Sequence, residues 1–143
     1  AGDVNEAIKR LMRACELGTR LRYKTQLQKA LQNMLLAATK TTSVKSVARV
    51  LRFIGDSIDK NSLSSADIFL FLSLIRKHGF QGMKKGLAQM QNALQVLVQR
   101  EPDSPQVHHQ LAMDLQFFAT EGYATLMKDT AWPAYNTSQF LAL

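Results

Sequence analysis

The chain has 143 residues, 46% hydrophobic and 20% charged, with seven glycines and three prolines, a composition that excludes a disordered or collagen-like chain. Its single cysteine, Cys15, excludes an internal disulfide and any multi-cysteine metal site, and points to a reducing, intracellular compartment, cytoplasmic or nuclear. The net charge of +7 is unevenly placed: residues 1–54 hold eleven Lys and Arg against three acids, whereas residues 101–143 hold one Lys against five, so the first half calls for an anionic partner.

In chain order, Asp3 and Glu6 resemble a capping box, and Val4, Ala7, Ile8, Leu11 and Cys15 then recur at helical spacing. This predicts a first helix ending at Gly18. From Thr19 a second helix is expected, with Leu27, Ala30, Leu31, Met34, Leu35 and Ala38 on its buried face. Thr41, Thr42 and Ser43 break it, and Ser43 caps a third helix with Val44, Val47, Leu51, Ile54 and Ile58 inward. On the opposite side of that helix, Lys45, Arg49 and Arg52 align at i, i+4 and i+7. No carboxylate stands three or four residues from Arg49, and like charges at this spacing cost an isolated helix a few tenths of a kcal/mol per pair.

Ser64 with Asp67 marks the start of a fourth helix and Gly79 its stop. Between them Ile68, Phe69, Leu70, Phe71, Leu72, Leu74 and Ile75 occupy every side of the helical wheel, which predicts a helix surrounded by the others. The run is about half the length of a membrane span, and no transmembrane segment or secretory signal is read. A fifth helix is expected from near Gln81, opened by Lys84 and Lys85, with Met83, Leu87, Met90, Leu94 and Leu97 as its seam. Pro102 interrupts, and Ser104 with Pro105 begins a sixth helix whose stripe reads Val107, Leu111, Leu115 and Phe118. Gly122 ends or kinks it, and Tyr123 to Met127 form at most one more turn.

The fold class is therefore all-α: one helical domain over 1–129, a compact bundle or short irregular stack of about six helices around the central apolar one. Residues 130–143 form an irregular aromatic tail containing Trp132, Tyr135 and Phe140, either folded back or docking on a partner.

No catalytic, cofactor or metal constellation emerges. His108 and His109 are adjacent, about 100° apart on a helix, and cannot share a metal as an i, i+4 pair does. His78 falls in the last turn of the fourth helix, where a cation complements the dipole. Asp56 and Asp59 read as surface charge pairing locally with Lys60, the methionines Met34, Met83 and Met90 as core filler, and the glycines match no phosphate-cradling or dinucleotide spacing.

The basic residues carry the functional expectation. They fall in three clusters: Arg20, Arg22 and Lys24; Lys45, Arg49 and Arg52; and Lys84 with Lys85. Such clusters fit a non-enzymatic interaction module that holds another protein, through an acidic segment, on a basic helical face or in an interhelical groove. The alternative is a helical domain that binds the RNA or DNA backbone, with an anionic lipid a further possible ligand. Exposed aromatics for base stacking and a recognition-helix motif are both missing from the pattern.

Overall fold

Helical periodicity over most of the chain, broken at a few Ser, Pro and Gly positions, produces an all-helical molecule. The computed structural model describes residues 2–21 and 24–117. These form α1 (Gly2–Leu21), α2 (Lys24–Lys40), α3 (Val44–Ser57), a single 3-10 turn (Lys60–Ser62), α4 (Ser65–His78), α5 (Gly86–Arg100) and α6 (Pro105–Phe117), with no strand among the described residues. The fold divides into two units, Ala1–Lys84 and Lys85–Leu143. The expected aromatic tail, with Phe118, Gly122 and Tyr123 to Met127, lies outside the described residues.

In the first unit α1 lies along α2, and α3 and α4 both pack on α2. Ile8 and Cys15, seven residues apart, are buried on α1, which packs along an α2 stripe of Leu27, Ala30, Leu31, Met34, Leu35 and Ala38, all buried as the 3.6-residue period predicts. Burial pushes the Cys15 thiol up to about 11, with Glu16 adding to the shift, so the group stays a neutral core thiol. Gly18 does not end the helix: α1 continues to Leu21, and α2 starts at Lys24 rather than Thr19. A helical glycine costs roughly 1 kcal/mol relative to alanine, too little by itself to stop a helix.

Ser43 caps α3, accepting from the Ser46 N–H at 3.3 Å, and the Ser46 hydroxyl donates to Asn5 Oδ1, tying α3 to α1. The inward face of α3 is Val47, Val50, Leu51 and Ile54; Val44 was expected among them but is 60% exposed. Val44 is the first helical residue, so the turn that would cover it is missing. Ser64 caps α4 by accepting from the Asp67 N–H at 3.2 Å, and Gly79, at φ 77°, closes it with its N–H on Ile75 O.

Along α4, Ile68, Phe71, Leu72, Leu74 and Ile75 are buried, but Phe69 and Leu70 are only half-buried. The central helix is therefore enclosed on most of its circumference, and not on all of it as the apolar run implied.

The fifth helix begins later than expected. Helix α5 starts at Gly86, not near Gln81, because Gly79, Gln81, Gly82 and Lys85 have φ of 77°, 47°, 76° and 50°, which no right-handed helix contains. Met83 is buried in that connection, and Leu87, Met90, Leu94 and Leu97 continue as the buried seam of α5. Ser104 caps α6, accepting from the Val107 N–H at 3.3 Å, with Pro105 as first helical residue. The stripe of α6 is rotated from the apolar reading: Val107, Gln110, Asp114 and Phe117 are buried while Leu111 and Leu115 are half-buried. Two polar residues can lie on this seam because they satisfy one another, Gln110 Nε2 donating to Asp114 Oδ2 at 2.8 Å.

Candidate functional site

The α3 helix presents two chemically opposite sides, and the basic one is the candidate site. At 100° per residue, Lys45, Arg49 and Arg52 fall within an arc of about 60°; all three are exposed. Ion pairs elsewhere join Arg10 to Glu6 at 3.6 Å and Arg13 to Glu16 at 3.1 Å, both on α1. Among the described residues no carboxylate lies within ion-pair distance of Lys45, Arg49 or Arg52. Phe53, half-buried and four residues after Arg49, borders this arc.

One acid does share the arc: Asp56, four residues after Arg52, the usual spacing for a helical ion pair. Its carboxylate is engaged elsewhere. Both oxygens accept from the Lys84 backbone N–H, at 3.1 and 3.3 Å, which pins the connection after α4 to the end of α3. The side chain of Arg52 runs under the same connection: a Cβ built on Gly82 would lie 3.5 Å from Nη1 and 3.7 Å from Cδ, ordinary contact distances. Gly82 is thus required by its φ of 76° and not by lack of space.

Of the expected basic clusters, this arrangement joins the α3 stripe to Lys84. Lys85 is exposed and precedes α5 in a left-handed conformation, without a side-chain cap. Lys24 is exposed at the first position of α2, so the rise of α2 puts it roughly 24 Å from the turn leading into α3. Arg20 lies on the backbone of α1, and Arg22 lies outside the described residues.

Lys60 departs furthest from its expected role. It does not pair with Asp56 or Asp59 at the surface: it is 2% exposed, and its ammonium donates to the carbonyls of Ile54, Gly55 and Ile58 at 2.9, 2.8 and 2.8 Å, with the Phe71 ring centroid 5.9 Å away. Ile54 and Gly55 lie in the last turn of α3, where four acceptors have no helical partner and the dipole is negative, and Ile58 is its C-cap. Burial pushes the Lys60 ammonium down to about 8, while the Asp56 and Asp59 carboxylates pull it back up. Asp59 instead caps the 3-10 turn, accepting from the Asn61 N–H at 3.0 Å.

Further titratable groups show no convergent chemistry. Burial raises the Asp67 pKa and its Ser64 hydrogen bond lowers it. Burial, and secondarily Lys77, lowers that of His78, which shares the basic last turn of α4 with Arg76 and Lys77. His108 Nε2 lies 2.9 Å from Pro102 O, and His109 is exposed. Among the described residues no three His, Cys, Asp or Glu side chains are placed to hold one metal ion, and no helix is long and apolar enough to cross a membrane.

An open groove of about 540 Å³ between α1 and α2 is lined by Glu6, Ala7, Arg10, Leu11 and Asn33. In α5 the buried Gln91 Oε1 has no hydrogen-bond partner. An unpaired buried acceptor costs about 1–3 kcal/mol, so Gln91→Leu is expected to leave the thermal midpoint unchanged or raise it. A clear fall in that midpoint would mean the amide makes a needed interaction.

No family model, curated protein or solved structure matches this chain. The functional reading therefore rests on the site itself.

Proposed function

We propose that the chain is a non-enzymatic α-helical interaction module that holds an acidic segment of a partner protein on the basic face of α3. The observation that carries this reading is the exposed row Lys45, Arg49 and Arg52, with no carboxylate in ion-pair distance among the described residues, on a helix whose other side buries Val47, Val50, Leu51 and Ile54. Charge left unpaired on a rigid helix supports an intermolecular role, because the apolar face of α3 fixes where the cations project. Nucleic-acid binding draws its sequence-independent affinity from cations that converge on phosphates. The sequence offers no exposed aromatics for base stacking beside these cations, which favours the protein partner.

The test is reversal of all three cations to Glu. The variant is expected to keep the helical circular dichroism spectrum and a thermal midpoint near the wild-type value, since none of the three side chains is buried. Binding of a fluorescent poly-glutamate peptide should weaken by at least about 2 kcal/mol, several charge-assisted contacts being replaced by repulsion. Unaltered peptide binding by the folded variant would remove the reading. Tight binding of a labelled oligonucleotide with a steep salt slope, and none of the peptide, would replace it with the nucleic-acid alternative.

A further inference from the structure

A row of cations on a helix is a ruler as well as a charge. The rise of 1.5 Å per residue puts Arg49 about 6 Å beyond Lys45 and Arg52 about 4.5 Å beyond Arg49, a span of about 10.5 Å along the axis. An acidic chain in extended form returns to the same side every second residue, about 6.7 Å, so three of its carboxylates span about 13 Å and drift out of step. A second α-helix with acids at i, i+4 and i+7 reproduces both intervals and the narrow arc, bringing each carboxylate opposite one cation.

Two neighbouring features fit a helical occupant. Half-buried Phe53 borders the cations and offers an apolar contact for a residue beside the acidic row. Asp56 stands one turn beyond Arg52 on the same arc, where it could neutralise that guanidinium. Its carboxylate is instead held by the Lys84 N–H, at 3.1 and 3.3 Å, and makes no ion pair with Arg52. The connection after α4 thereby leaves Arg52 without an intramolecular carboxylate among the described residues, its Cδ and Nη1 lying beside Gly82.

We propose that the ligand of the α3 face is an acidic amphipathic α-helix of a partner protein, laid along α3 with carboxylates in register with Lys45, Arg49 and Arg52, and that Asp56 is a positioning residue which leaves Arg52 unpaired. This rests on the interaction-module reading and specifies its ligand. The occupant is identified by charge complementarity and by the matched axial spacing.

The experiment uses the full chain and three synthetic peptides of identical composition. One carries Glu at i, i+4 and i+7 with a Leu beside the row, the second has the same residues permuted so that the acids scatter around the wheel, and the third alternates the acids for an extended strand. Affinity is read by fluorescence anisotropy at physiological salt, and peptide helicity by circular dichroism on mixing. The first peptide is expected to bind about tenfold tighter than the other two and to gain helicity when bound. Arg49→Glu should remove most of that advantage while leaving the weak binding of the permuted peptide little changed. Asp56→Asn keeps an acceptor for the Lys84 N–H and removes a negative charge, so it should tighten the first peptide about two- to fivefold.

Equal binding of all three peptides, each weakened by the triple reversal to Glu, would overturn the helical ligand and leave the basic-face reading standing. Preference for the alternating peptide would overturn it in the same way. Absence of binding to every peptide, even at low salt, would overturn both. Failure of Asp56→Asn to tighten binding would overturn the role given to Asp56.

Discussion

Replacing Lys60 by methionine is expected to destabilise the protein by about 2–4 kcal/mol at pH 7, measured by denaturant unfolding. Methionine preserves the apolar stem but removes the donor that serves Ile54 O, Gly55 O and Ile58 O at 2.8–2.9 Å. Hydrogen bonds to charged groups contribute about 1.5–3 kcal/mol each, and a buried acceptor left unsatisfied costs about 1–3. Against these stands the cost of burying an ammonium, which methionine relieves. Three acceptors against one desolvated cation decide the sign. A Lys60→Met protein as stable as wild type would mean that water replaces the ammonium without loss.

The same residue imposes a pH signature. Its folded pKa of about 8 lies below the ordinary lysine value of 10.5, so between these values the unfolded chain binds the proton more tightly. Stability therefore rises with pH through that window, by about 1.4 kcal/mol per unit, and the gain is lost as pH falls through 8. The informative quantity is the difference between wild type and Lys60→Met. That difference is expected to grow by up to about 3 kcal/mol from pH 8 to 10.5. A flat difference would show that the three carbonyls hold the ammonium at its ordinary pKa, outweighing its desolvation.

The residues that were legible in sequence are those whose partners are local or whose pattern is long. The α2 stripe has six apolar positions at steps of three and four, and all six are buried; Ser43, Ser64 and Ser104 each cap the helix that follows. The cationic row on α3 was equally visible, because exposure of one helix face follows from burial of the other. What failed to show has a common physical cause, a tertiary partner for a polar group. Lys60 looks like a surface charge between two acids until the unfilled carbonyls of α3 are placed around it. Gln110 and Asp114 look like solvent positions, and their hydrogen bond helps them occupy the α6 seam in place of Leu111 and Leu115.

Backbone conformation was the second blind spot. Gln81 and Lys85 carry positive φ without being glycine or asparagine, so nothing in their side chains announces that α5 must wait until Gly86. The engagement of Asp56 with the Lys84 N–H follows from that bend, and it is also what leaves Arg52 without its i+4 partner. The availability of the candidate site thus depends on a loop geometry that periodicity cannot report. Gly79 and Gly82, at φ 77° and 76°, were the only signal in that stretch.

The contrast between Phe71 and Leu70 gives the sharpest test of how α4 sits among its neighbours. The apolar run makes the two residues equivalent, but Phe71 is fully buried and Leu70 half-buried. Phe71→Ala is expected to cost about 3–5 kcal/mol, the range for emptying a buried aromatic position, whereas Leu70→Ala, with part of its surface already in water, should cost about half as much as a buried leucine, near 1–2 kcal/mol. Phe71 also presents its ring to Lys60 Nζ at 5.9 Å, and a desolvated cation–π contact adds about 2 kcal/mol. Phe71→Leu separates the two contributions, since it retains much of the apolar volume and removes the π face. In a double-mutant cycle with Lys60→Met, Phe71→Leu should cost less when Lys60 is already methionine, by about 0.5–2 kcal/mol. Equal costs in both backgrounds would reduce Phe71 to packing alone, and equal costs for Phe71→Ala and Leu70→Ala would put Leu70 back in the core that the sequence implied.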